Sequence, residues 1–179
     1  MQALSLLLVY RDFDCAGTSG WLALGRKLAI TFLMTGTLIG IAWRPGKAAP
    51  METAESGVIT PESGLYPDFR GKPGRRQVTV LFEEDWLAAT AVLGETRPWT
   101  IRRANLLVRG LSNPQAEGGR IVIGDVVLEI TGETDPCQRM GAQWVGLQAA
   151  LTPNWRGGLT TRVISGGAVA VGDHVSLDL

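Results

Sequence analysis

Residues Ile121-Val-Ile-Gly-Asp-Val-Val-Leu-Glu-Ile130 carry apolar side chains on both flanks of a Gly-Asp pair, and the pattern returns at Val169-Ala-Val-Gly-Asp-His-Val-Ser-Leu177. Alternation with a period of two is the mark of strands that bury one face. Glycine in the first central position of a two-residue loop suits a type II′ turn, whose twist matches that of the flanking strands. Both segments therefore read as β-hairpins. Together they predict a closed or nearly closed β fold rather than a repeat protein.

Working outward, short apolar runs punctuated by glycine and proline continue this theme, as expected of an all-β barrel or sandwich. Gln77-Val-Thr-Val-Leu-Phe82 alternates as a strand should, and Ile101–Val108 is a further candidate strand. Two helices interrupt the strands. Glu83–Leu93 begins with three acids and is followed by Gly94, while Ala142–Leu151 stops short of Pro153.

The start of the chain is ambiguous. Gly25-Arg-Lys27 followed by the apolar run Leu28–Trp43 mimics a signal anchor, but Thr35, Gly36, Thr37 and Gly40 dilute the run. Splitting it at Met34 leaves Thr37-Leu-Ile-Gly-Ile-Ala-Trp43 as an ordinary first strand, ended by Arg44-Pro-Gly46. On this reading residues 1–33 form a leader outside the domain, with a translation start at Met34 as the alternative, and residues 34–179 form one domain.

Composition narrows the function classes. The chain has 179 residues, 45% of them hydrophobic, which is enough for one sizeable core. Lys and Arg total 17 against 17 Asp and Glu, so no global basic field argues for nucleic acid and no membrane association is expected. Two cysteines, Cys15 and Cys137, supply neither a disulfide framework nor a CxxC zinc spacing, which fits a reducing, cytoplasmic setting. A single histidine, His174, excludes a His-rich metal cage and reads as an exposed strand residue after a turn. GxSxG, Walker, HExxH and dinucleotide motifs are all missing from the sequence.

The chemistry-bearing candidate is Cys137. It follows the strand-like run Val126–Ile130 and stands directly after Pro136, where a chain must leave a sheet. Arg139 stands two residues on, with more arginines at Arg102, Arg103 and Arg156, and cations favour the thiolate, which is the form that ligates metals and attacks sulfur. A buried small hydrophobe is the competing reading. Lys72, Arg75 and Arg76 form a second basic cluster beside Gly71 and Gly74, suited either to a phosphate or to solvent. Arg156-Gly-Gly158 combines a bidentate donor with glycines that let backbone approach a ligand, although Gly-Gly is also ordinary loop chemistry.

Taken in order, five segments resemble a MOSC domain, the module at the C-terminus of molybdenum cofactor sulfurases and in amidoxime-reducing molybdoenzymes. They are Thr37–Ile41, Gly74–Thr79, Arg103–Gly110, the hairpin leading to Pro136-Cys137, and Gly166–Asp173. The resemblance runs from about Gly36 to the C-terminus and implies a distorted β-barrel with minor helices. It also implies molybdenum cofactor (molybdopterin), with Cys137 as molybdenum ligand and catalytic residue, or alternatively as a metal-free sulfur carrier holding a persulfide.

The family's Arg-x-Asn element maps to Arg103 and Asn105, which the resemblance makes cofactor-binding, together with Arg156, Arg75 and Arg76. In the loop Gly64–Gly71 many relatives are more acidic and carry histidine, whereas here Asp68 alone remains. Pyridoxal phosphate, although tied to the family name, belongs to a sulfurase domain that this chain lacks and is not expected. The implied activities are reduction of N-hydroxylated compounds or sulfur transfer, with a redox partner or a cysteine desulfurase as partner. A scaffold whose site has decayed is the third alternative.

Overall fold

A computed structural model describes residues 34–179; the expectations for residues 1–33, and Cys15 with them, lie outside the described residues. In chain order the strands and helices are β1 (Thr35–Trp43), β2 (Glu52–Ala54), β3 (Ser56–Thr60), β4 (Gly64–Tyr66), β5 (Val78–Phe82), α1 (Glu83–Leu93), β6 (Leu106–Arg109), β7 (Arg120–Ile123), β8 (Val126–Glu133), α2 (Gln138–Gln143), α3 (Leu147–Leu151), β9 (Leu159–Ser165), β10 (Gly167–Ala170) and β11 (His174–Asp178). Seven strands run in the order β11-β7-β8-β9-β5-β6-β1 and close into a barrel through β1–β11 pairing, while β2 extends the end of β1. A small sheet, β10-β3-β4, stands apart from the ring.

The barrel is antiparallel except at β5 and β6, which α1 connects as a parallel crossover. These two strands are apolar on both faces where they pair, because each face is covered. Val78, Val80, Phe82, Leu106 and Val108 fill the barrel, whereas Leu81 and Leu107 point outward into a second core with Trp86 of α1, Met140, Trp144 and Leu147. The acids opening α1 lie at its first turn, and Gly94 ends it in the left-handed conformation.

The segment Ile121–Ile130 is a hairpin as expected: β7 and β8 pair directly, with Gly124 at φ 56° in the first turn position. Its echo is not. β10 pairs with β3 and β11 with β1 and β7, so Val171-Gly-Asp173 is a corner between two sheets. Its backbone N–H groups are already committed, Val171 donating to the Glu55 carbonyl and Gly172 to that of Leu38, both at 2.8 Å. The Asp173 carboxylate meanwhile accepts from the Ala170 N–H at 2.7 Å.

Two other expected elements differ. The strand expected over Ile101–Val108 begins only at Leu106, because Trp99–Arg102 form a 3-10 turn closed by the Arg103 N–H donating to Thr100. The helix expected over Ala142–Leu151 is broken at an extended Trp144 and a left-handed Gly146, leaving α2 and α3. That break seats Trp144 edge-on against Trp86, with the Arg97 guanidinium 4.8 Å above its ring.

Candidate functional site

Cys137 lies where sequence reasoning puts it. β8 ends at Glu133, Pro136 takes no part in the ladder, and Cys137 is the residue before α2. Its thiol makes no capping hydrogen bond and the residue is exposed. Exposure excludes the reading of a buried small hydrophobe.

The thiol borders a cavity of about 490 Å³, built where the end of β1, the loop after β4, the start of β5, the turn before β6 and the segment after β8 meet. Six arginines line it: Arg44, Arg70, Arg76, Arg102, Arg103 and Arg139, against the carboxylates of Asp68 and Asp135. Four ion pairs occur among the described residues, Arg75–Glu117, Arg97–Glu95, Arg109–Glu83 and Arg162–Glu129, and none takes a cavity arginine. The cavity therefore holds a surplus of unneutralised positive charge.

Arg102 is the most constrained of the six, being 6% exposed. Its Nη2 donates to the Thr134 carbonyl at 2.7 Å, whereas Nε has no hydrogen-bond partner among the described residues; nor does the Thr134 hydroxyl. Burial pulls the Arg102 pKa down to about 10, and the charge of the Cys137 sulfur partly offsets that fall. Arg103 follows at φ 64°, an unusual backbone conformation for a side chain of this size. This left-handed step closes the turn that puts consecutive arginines on one cavity.

Asn105 also lines the cavity, but its amide is fully committed. Oδ1 accepts from the Thr79 N–H at 3.0 Å and from the Thr79 hydroxyl at 2.9 Å. Nδ2 donates to the Ala42 carbonyl at 3.2 Å and to Asp68 Oδ2 at 3.0 Å. An amide has capacity for two bonds on each side, so Asn105 clamps β1 to β5 and orients Asp68 rather than offering a free donor. Burial raises the Asp68 pKa, opposed by the Asn105 hydrogen bond.

Other expected positions lie elsewhere. Arg75 donates Nη2 to Glu117 and to the Thr131 carbonyl, and with Glu129 and Arg162 it borders a separate, smaller cavity. Both arginines lie in the turn before β5, and of the two only Arg76 reaches the Cys137 cavity. Arg156 is likewise outside the lining and sets its charge by Asp85.

The glycines after Arg156 have a packing role. The Gly158 carbonyl accepts from Thr134 at 2.8 Å, and at φ 91° a side chain on Gly158 would run into the Val80 carbonyl. They support the Cys137 segment from behind. His174 is exposed on β11, opposite Thr37.

Sequence reasoning did not select Arg44, Arg70, Arg102 and Arg139 as binding residues. The Arg102-Arg103 dipeptide was a usable signal, because both faces of a tight turn can meet one cavity. Arg44 and Arg70 join only through long-range strand pairing. Among the described residues no group of three or more His, Cys, Asp or Glu side chains is placed to hold a metal, and no helix is long and apolar enough to cross a membrane.

Comparison with known proteins adds a family. The family model of the MOSC domain matches residues 65–176. Among solved structures, the YuaD protein from Bacillus subtilis superposes with a TM-score of 0.71 at 22% identity, covering 81% of this chain and 96% of its own. YiiM from Geobacillus stearothermophilus gives 0.65 at 14% identity, over 79% of this chain and 74% of that one. YiiM from Escherichia coli gives 0.60 at 15% identity, over 79% and 69%. These identities establish likeness of fold. No functionally curated protein is similar enough to match the chain.

Proposed function

The chain belongs to the MOSC domain family, which is associated with molybdenum cofactor, and on that premise we propose that it binds this cofactor in the arginine-lined cavity with Cys137 as molybdenum ligand. The observation that carries the reading is the convergence of an exposed, uncapped thiol with six arginines outside any ion pair. A cavity of about 490 Å³ is in the size range of small-molecule sites.

The donor set fits the group. A thiolate is a soft ligand suited to a transition metal, and guanidinium forks match phosphate oxygens. Cys137 would hold the metal, while Arg102, Arg103 and Arg76 would hold the pterin's phosphate. When bound, the cofactor supplies a redox-active metal to a small oxidoreductase module or cofactor handler, with reduction of N-hydroxylated compounds as the leading activity and a separate redox partner. Asn105 keeps Asp68 at the cavity wall, where its carboxylate also accepts from the Arg44 N–H. The reading places the protein in the cytoplasm, where thiols remain reduced.

A second reading is favoured by the exposure of Cys137: a sulfur carrier, with the thiol taking a persulfide from a cysteine desulfurase. One preparation separates the two. Protein made in a host that synthesises molybdopterin should copurify with pterin, and Arg103→Gln should weaken its retention. Protein free of pterin that instead gains one sulfur in mass on incubation with a desulfurase would support the second reading over the first.

A further inference from the structure

We infer that the Cys137 cavity accepts a small sulfur oxyanion of the thiosulfate type and that Cys137 takes its terminal sulfur directly. The inference rests on the metal-free sulfur-carrier reading of Cys137, not on the molybdenum-ligand reading, and names a donor class for it. Its basis is electrostatic. The six arginines that line the cavity face only two aspartates, and none is in an ion pair among the described residues. Arg102 is 6% exposed and its Nε has no partner, so a buried cation lines the wall short of one acceptor. Keeping a buried cation without a counter-charge is costly, and an anion bound beside it offsets that cost.

A sulfur donor carried on another protein has no need of such a lining. A small dianion does, because its negative oxygens are what guanidinium groups recognise. Thiosulfate presents three such oxygens on one sulfur and a transferable sulfur opposite them. With the oxygens toward Arg102, Arg103 and Arg76, the terminal sulfur is left for the exposed thiol.

The step balances without another reagent. The Cys137 thiolate attacks the terminal sulfur, forming an S–S bond at Sγ; a thiol first loses its proton to solvent. The sulfur–sulfur bond of thiosulfate breaks and its electron pair departs with sulfite. Cys137 is left as a persulfide, oxidised by the sulfur it has accepted, and the arginines stabilise the charge growing on the departing sulfite. A nucleophilic acceptor then removes the outer sulfur and restores the thiolate.

The experiment uses the full chain, freed of added thiols, with sodium thiosulfate as donor and cyanide as acceptor. The expected result is a gain of one sulfur in intact mass at Cys137, sulfite released in equal amount, and thiocyanate formed on adding cyanide. Sulfate should compete for the cavity and raise the KM for thiosulfate. Because Arg102 is buried and Arg102→Gln risks misfolding, the exposed Arg76→Gln is the main variant, with KM raised about tenfold and kcat less affected.

Loading by a cysteine desulfurase is measured in parallel. If the desulfurase loads Cys137 and thiosulfate does not, the oxyanion inference fails while the sulfur-carrier reading stands. Failure of both donors on folded protein overturns both. Thiosulfate transfer insensitive to sulfate and to Arg76→Gln also overturns the inference, since the arginines would then have no part in it.

Discussion

Asn105 shows how a residue can border a site and yet serve the frame. Each of its four hydrogen-bonding positions is taken by Thr79, Ala42 or Asp68, so Asn105→Ala should cost about 2–4 kcal/mol of stability, read from the denaturant midpoint. A loss of ligand binding with unchanged stability would contradict this assignment. At this scale the sequence was legible where covalent geometry decides, and opaque where register does. Pro136 has no N–H to give an interior ladder, so a place for Cys137 beyond a strand end could be read directly. Nothing local distinguishes Arg75 from Arg76, and only pairing across β8 sends the first to Glu117 and the second to the cavity. Arg102 could be read as a cation for the Cys137 segment, but not as a buried one, since the carbonyl that its guanidinium meets belongs to Thr134, 32 residues further along the chain.

Among the elements, α1 offers a test through pH. The Glu83 carboxylate is held below its ordinary value of 4.5, first by the hydrogen bond from Arg109 and then by that residue's charge. A carboxylate with a depressed folded-state pKa adds stability that is present above 4.5 and is lost as pH falls through the folded value. Glu83→Gln should therefore lower the urea midpoint modestly at neutral pH, and the difference from wild type should vanish in acid; a constant difference would rule out the ion pair as its source. β8 offers a test through packing. Leu128 is fully buried within the barrel, and Leu128→Ala should destabilise by about 2–5 kcal/mol. The β7–β8 hairpin and α1 could be foreseen because their period and end residues agree. Val169–Leu177 misled because a Gly-Asp pair specifies a turn but not which strands that turn joins, and β10 finds its partner in β3 far upstream.

For the molecule as a whole, closure is the organising fact: β1 and β11, the first and last described strands, pair directly, so the ring is completed within residues 35–178. A chain beginning at Met34 should accordingly unfold at nearly the same Tm as the full chain, and a clear loss of folding would refute the domain boundary drawn at that residue. Closure also gathers the cavity, because β1, β5, β6 and β8 bring together arginines and a thiol that lie far apart in sequence. That the cavity holds molybdenum cofactor through Cys137 is tested most directly by molybdenum content per chain, measured by elemental mass spectrometry on protein from a molybdopterin-producing host. Wild type should carry molybdenum approaching one equivalent, and Cys137→Ser should retain its Tm but lose most of the metal, since a serine hydroxyl is nearly isosteric yet a harder and far less acidic ligand. Folded wild type without molybdenum, or a Cys137→Ser variant that keeps it in full, would contradict the account.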